Sequence, residues 1–293
     1  MSKPSPTVVI TGASTGIGHA CATYLARKGW HVFAGIRKQA DADRLTEELG
    51  ASVTPLVMDV TDAAGMTAAA EQVAEALGEK TLGGLVNNAG IAVSGPMTDI
   101  PIDEFEWQMA VNVTGVVRTT QLFAPFLGRD RNRIGKPGRI VMMSSMAGEM
   151  GAPFLGPYSA SKHAVEGLTK SLRRELMLFG IQVVVLGPGA VATPIWAKAE
   201  EVDPSAYEHT PYYKPLMAIR DYMTRNGPAG LAPDVIAKRV HKSLTQSRPR
   251  FRYALVPQRF SNWTLPKLLP ARMVDNIVAK RIGLRPEDLD TPE

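Results

Sequence analysis

Short apolar runs punctuate this chain and alternate with longer stretches in which apolar residues recur every three or four positions. The first run, Thr7-Val8-Val9-Ile10, is β-branched and reads as a buried strand. Further strands are expected at His31–Ile36, Val53–Met58, Gly84–Val86, Arg139–Met143, Gln182–Leu186 and, late in the chain, Tyr253–Val256. The periodic stretches predict helices over about 17–28, 41–49, 62–77, 103–127, 157–179 and 233–245. Strand and helix taking turns in this way predicts an α/β fold, a doubly wound parallel sheet covered by helices on both faces. The strand tails Thr11, Arg37, Asp59, Asn87 and Ser144 then converge on one edge, where ligands bind in such sheets.

Composition adds limits. No Gly/Ser linker or repeat divides the 293 residues, and 45% hydrophobic with 21% charged residues suits one globular domain spanning 1–293. The net charge of +5 is local, because residues 234–293 hold 12 Lys+Arg against 6 Asp+Glu. No nucleic-acid reading module accompanies that tail. The single Cys21 falls in the first predicted helix and reads as a buried structural thiol of a reducing compartment. With no apolar run of about 18 residues and no leader pattern at Met1–Pro6, the expectation is a soluble cytoplasmic protein.

Two segments carry chemistry. Thr11-Gly12-Ala13-Ser14-Thr15-Gly16-Ile17-Gly18 follows the first strand directly and opens a helix. Glycines there allow a tight turn and let a pyrophosphate approach free N–H groups at the helix start. In Tyr158-Ser159-Ala160-Ser161-Lys162, a phenol and an ammonium share one helix face, 13 residues after Ser145. A lysine one turn away can hold a tyrosine partly ionised and make it a usable proton donor or acceptor.

Together with Asp59-Val60, Asn87-Asn88-Ala89-Gly90, Asn112, and Pro188-Gly189 followed by Thr193, these motifs make the chain resemble a classical short-chain dehydrogenase/reductase, close to hydroxysteroid and retinol dehydrogenase-like members. They keep the family's order and spacing over roughly residues 7–195. The resemblance implies a Rossmann-type three-layer core over 7–192, a substrate lid over 193–230 and a C-terminal helix-strand-helix extension over 231–293. It implies cofactor contacts from Gly12, Ser14, Thr15, Gly16, Ile17 and Gly18, and from Asp59, Val60, Asn88, Ala89 and Gly90. Pro188, Gly189, Val191, Thr193, Tyr158 and Lys162 complete that set, while Asn87 steadies the central sheet. Catalysis is implied for Asn112, Ser145, Tyr158 and Lys162. Tyr158 would be the general acid/base, and Lys162 would lower its pKa and hold the nicotinamide ribose. Ser145, rather than the adjacent Ser144, would orient the substrate oxygen, and Asn112 would support a water relay. His163 reads as structural, and no metal ligand is expected.

Ile36 stands where the family's NAD-preferring members carry an acid, and Arg37 and Lys38 follow, which favours a 2′-phosphate and hence NADP, with NAD tolerated. Thr15 replaces the second base that many NADP-dependent relatives place in the loop. The lid holds Ile195, Trp196, Tyr207, Tyr212, Tyr213, Leu216, Met217 and Tyr222, an apolar and aromatic set suited to a steroid-, retinoid- or lipid-like alcohol or ketone. Met150, Phe154, Trp196 and His209 are the substrate-contact candidates beside Ser145 and Tyr158. Apolar positions Phe105, Met109, Val113, Val116, Leu168, Leu172, Leu176 and Phe179 either pack the core or join a homodimer or homotetramer. Leu269, Met273, Val274, Ile277, Val278 and Ile282 form one face of a basic tail helix, which packs on the body or a neighbour, or rests on an anionic membrane. A nucleotide-sugar epimerase also uses Tyr-x-x-x-Lys, but glycines at 12, 16 and 18 argue against it. The alternatives kept are a non-catalytic NADP-binding regulator and a reductase of small carbonyls or quinones.

Overall fold

Strand β1 (Thr7–Ile10) lies third in a seven-stranded sheet whose order is β3-β2-β1-β4-β5-β6-β7, with every pairing parallel. The computed structural model describes residues 5–195 and 204–289. The other strands are β2 (His31–Ile36), β3 (Val53–Val57), β4 (Gly84–Asn87), β5 (Arg139–Met143), β6 (Gln182–Pro188) and β7 (Arg252–Leu255). The chain winds outward from β1 to β3, returns to β4 beside β1, and winds the other way to β7. The β1/β4 junction is therefore the switch point, where the crossovers part and leave a crevice.

Helices α1 (Gly16–Arg27), α2 (Gln39–Leu49) and α8 (Pro233–Thr245) cover one face, while α3 (Ala63–Leu77), α4 (Ile102–Met109), α5 (Gly115–Phe123) and α6 (Gly156–Glu175) belong to the other. Strand residues feed both layers by alternation: Val8 and Ile10 join the first, Val9 the second, and all three are wholly buried. Asp62 caps α3 by accepting from the N–H groups of Ala64 and Gly65. Cys21 is buried, and burial pushes its thiol up to about 12, so it stays an inert packing group.

The long pattern over 103–127 is interrupted. Between α4 and α5 the residues Ala110–Thr114 form a wider π turn, with Asn112 buried in it. Val116, Leu172, Leu176 and Phe179 pack into the core, whereas Leu168 is exposed. The segment expected to form a lid contributes α7 (Tyr213–Asn226), and the tail contains α9 (Ala271–Ile282). No helix among the described residues is long and apolar enough to cross a membrane.

Candidate active site

The glycine loop leaves β1 at the switch point and is shaped by close backbone approach. Gly12 adopts φ +66°, and a Cβ there would fall 2.9 Å from Ala89 Cα; at Gly18 it would fall 2.0 Å from the Gly12 carbonyl oxygen. Thr11 Oγ1 accepts from the N–H groups of Asn88 (3.0 Å) and Ala89 (2.9 Å). Asn88 Nδ2 donates to the carbonyls of Thr11 (2.9 Å) and Gly12 (3.0 Å). Asn88, expected to face the ribose, thus gives its amide N–H groups to the loop itself. Thr15 precedes α1 without a side-chain cap, and the first turn carries no acid, so the first N–H groups of that helix remain available to an anion.

Thr193 reaches the opposite side of the loop, 3.3 Å from where a Gly16 Cβ would stand. Pro188 ends β6, Gly189 N–H donates to Leu255 O at 2.9 Å, and Val191 bridges to Leu231. At the end of β2, Arg37 and Lys38 are exposed. Partial burial raises the Asp59 carboxyl, but the Thr61 hydroxyl (2.6 Å), its N–H (2.8 Å) and the Arg37 charge outweigh this and hold it below its ordinary value. Val60 is buried beside them. Arg44 was not foreseen: from α2 its Nη2 donates to Ser14 O at 2.6 Å, placing a third cation on the rim where Thr15 supplies none. The cradle of close-packed glycines, uncapped helix start and flanking cations fits a phosphorylated dinucleotide.

The residues expected to handle a proton meet above β5. The Ser145 hydroxyl stands close enough to the Tyr158 phenol to pull its pKa down in part, and it accepts from Ala147 N–H at 3.1 Å. Ser144 instead is buried against Gly148 with no partner for its hydroxyl, which separates the two serines. Lys162 lies one helical turn from Tyr158, its Nζ 5.6 Å from the ring centroid and 2.9 Å from Met143 O, to which it donates. Burial pushes the Lys162 ammonium down to about 8. Burial also raises the phenol above its ordinary value, and the Ser145 hydroxyl offsets only part of that. The expected lowering of the Tyr158 pKa by Lys162 is therefore not found: the ammonium sits beneath the ring rather than against the hydroxyl. His163 Nδ1 pairs with Ser159 O, off this face.

Asn112 uses its amide on the loop after β4. Its Oδ1 accepts from Ile91 N–H at 2.9 Å, and its Nδ2 donates to Ile91 O and Ser161 Oγ, both at 3.0 Å. A Cβ on Gly90 would lie 3.2 Å from that Oδ1 and 3.6 Å from Lys162 Nζ, so glycine lets the loop pass close over the lysine. Asn87 ties β4 to α5 through Thr120.

The substrate candidates divide. Phe154 is buried with Tyr207 and Leu216 and stacks edge-on against Tyr212 at 6.0 Å, in the left-handed region at φ +61°. Met150 is half-buried, and His209 is exposed on the turn after Tyr207. Trp196 lies outside the described residues.

Residues 6–203 match the family model described as short chain dehydrogenase. The chain is 37% identical to an NADPH-dependent 3-dehydrocapnine reductase of Ornithobacterium rhinotracheale, over 93% of this chain and 95% of that one. It is 32% identical to the 17-beta-hydroxysteroid dehydrogenase type 6 of Bos taurus, over 84% and 79%. A short chain dehydrogenase/reductase of Burkholderia phymatum, solved in complex with NAD, covers all of both chains with TM-score 0.73 and 28% identity.

Proposed function

The chain belongs to the short chain dehydrogenase family, and on that premise we propose that it is an NADP-preferring oxidoreductase that interconverts an alcohol and a carbonyl on an apolar substrate. The observation that carries this reading is the convergence of the Ser145 hydroxyl, the Tyr158 phenol and buried Lys162, whose Nζ lies 5.6 Å from the phenol ring centroid. A mere nucleotide binder needs no such donor pair.

NADPH, when bound, supplies the hydride that reaches the carbonyl carbon. This chain's residues handle the oxygen. Tyr158 has its phenol pKa raised by burial, so it is protonated at neutral pH and ready to donate to a carbonyl oxygen. Ser145 donates to the same oxygen and orients it; in alcohol oxidation Tyr158 takes the proton back. Lys162 keeps donor capacity beyond its bond to Met143 O, which suits it to the nicotinamide ribose hydroxyls. Asn112 fixes the Ile91 loop over Lys162 and holds that geometry.

Arg37, Lys38 and Arg44 support a 2′-phosphate, as does the NADPH dependence of the 3-dehydrocapnine reductase. An apolar substrate is supported by the apolar cluster of Phe154, Tyr207, Tyr212 and Leu216, to which the chain just before Tyr158 contributes Phe154, and by the hydroxysteroid relative. The test is nicotinamide absorbance with purified protein, NADPH and NADH in parallel, against steroid, retinoid, long-chain aliphatic, small-carbonyl and quinone substrates. Turnover with NADPH on bulky apolar ketones is expected. Tight NADPH binding without turnover on any carbonyl or alcohol would transfer the assignment to a regulator.

A further inference from the structure

Tyr158 and Lys162 are the first two members of a stripe that continues one turn further along α6 to Glu166. Glu166 is buried, and its Oε2 has no hydrogen-bond partner. Its Oε1 accepts from Arg252 Nε at 2.9 Å. The same Nε lies 2.8 Å from Glu149 Oε1, on the turn that follows Ser145. Arg252 Nη2 donates to the Ser145 carbonyl at 3.3 Å. The guanidinium crosses β6 at Gly187, where a Cβ would come within 2.4 Å of Nη2, so glycine is required for it to reach the serine.

The C-terminal segment closes this cluster. Lys267 pairs with the other oxygen of Glu149. Trp263 is buried, with Lys267 Nζ 3.8 Å and Arg252 Cζ 4.7 Å from its ring centroid. Two carboxylates and two cations from four separate parts of the chain thus meet behind Ser145. Desolvating such a set opposes its mutual attraction, and apolar side chains of equal volume would stabilise the fold as well, so stability alone does not account for it. What apolar side chains would not supply is a directed hydrogen bond to the serine backbone.

We infer that Arg252 is a positioning residue: braced by Glu166 and Glu149, it fixes the Ser145 carbonyl and thereby the direction of the Ser145 hydroxyl towards Tyr158, with Trp263 and Lys267 locking the brace from the C-terminal segment. This rests on the reading above, in which Ser145 and Tyr158 act on one substrate oxygen. The C-terminal segment is then part of the catalytic architecture, although none of its residues touches the reacting atoms.

The experiment compares wild type with Arg252→Met, Arg252→Lys and Lys267→Met. It reads kcat and KM for alcohol oxidation from pH 6 to 11, NADPH Kd by fluorescence, and amide exchange over residues 144–150. In Arg252→Met, kcat falls roughly 10- to 100-fold, the scale of an orientation error of about 1 Å, while the NADPH Kd holds. The alkaline rise of the rate moves to higher pH, because the phenolate loses the Ser145 hydroxyl that stabilises it. Arg252→Lys recovers part of kcat and moves the rise back, and Lys267→Met shows the same shift in smaller measure. A folded Arg252→Met enzyme with wild-type kcat and an unmoved pH profile overturns the inference. Should Arg252→Met fail to fold, Lys267→Met decides alone, and an unmoved profile there overturns it equally. If wild type turns over no alcohol or ketone, the functional reading fails separately. Faster exchange at 144–150 in the variants then supports the brace, and unchanged exchange overturns it.

Discussion

The switch-point edge and the C-terminal covering use opposite kinds of packing. At the edge, loops are pinned by donors and acceptors: Thr11, Asn88 and Asn112 each bond backbone groups of a neighbouring loop, and Val8–Ile10 and Gly84–Asn87 below them are buried. Among the described residues the covering buries a small cluster of Phe154, Tyr207 and Leu216 together with Trp263, and α9 has no buried residue. The hydride and proton transfer proposed for this edge would need fixed distances, which residues standing on a rigid sheet provide. Admission of the bulky apolar substrate proposed above would need a surface that opens cheaply, and few buried contacts provide that. The exception sharpens the contrast, since Arg252, Trp263 and Lys267 join the covering to the edge at the one serine whose direction matters.

The largest expected effect belongs to the edge. Tyr158→Phe removes the proposed proton donor and leaves the ring packing, so turnover should fall on the order of 10²- to 10⁴-fold while NADPH Kd measured by fluorescence stays within about twofold. Comparable turnover in that variant would remove Tyr158 from the chemistry. Gly18→Ala comes next: its Cβ would stand 2.0 Å from Gly12 O and 2.6 Å from Asn88 Nδ2, so the loop must move as a unit. Overpacking of this kind costs about 1–3 kcal/mol in urea unfolding, and NADPH binding goes with it. A variant that binds NADPH normally would show that the loop tolerates displacement and is not the rigid element described.

How much of this was legible in the sequence follows from the same contrast. The seven strands were read to within a residue or two because parallel strands buried on both faces are continuous apolar runs, and α8 was read at its full extent from the Pro233 start. The interruption at Asn112 was not, since one extra residue in a helical turn barely disturbs a 3.6-residue period. Motif residues were placed at the correct edge, but the partners of Asn88 and Asn112 were not, because a side-chain amide serves a ligand or a loop carbonyl equally well. Arg44 gave no signal, its contact being 30 residues away in sequence. Glu166 did give one: a carboxylate four residues beyond Lys162 on a buried helical stripe demands a buried cation, which points to the Arg-rich run around 248–252. Helix α7 went unread because Pro215 and clustered tyrosines blur its period.

The buried lysine supplies a mid-sized test with a definite sign. Lys162 titrates at about 8 in the folded protein and near its ordinary value of 10.5 when unfolded. Between those limits the unfolded chain binds the extra proton, so stability rises with pH from 8 towards 10.5 and is lost as pH falls through 8. Relative to Lys162→Met, wild type should gain about 2 kcal/mol between pH 8 and 10, read from paired urea titrations. Taking the difference between the two proteins cancels the opposing contributions of Cys21 and Tyr158, whose raised values act above their ordinary ones. Parallel curves for the two proteins would mean that the ammonium is solvated and that the edge around it is open.

The smallest effect should come from the covering. Ile277 is 56% exposed on α9, beside half-exposed Met273, with Arg272 and Lys280 near it on the same helix. Truncating it to Ala removes methyl groups that touch solvent more than protein, so the unfolding free energy should change by no more than about 0.5 kcal/mol. The measurement is made at two protein concentrations tenfold apart. A loss above about 1 kcal/mol that grows with concentration would mean a second copy of the chain covers this face, since mass action makes stability depend on protomer concentration only when association contributes to it. A loss of that size independent of concentration would instead mean that α9 docks on its own body in solution, and that the covering is as firmly packed as the edge.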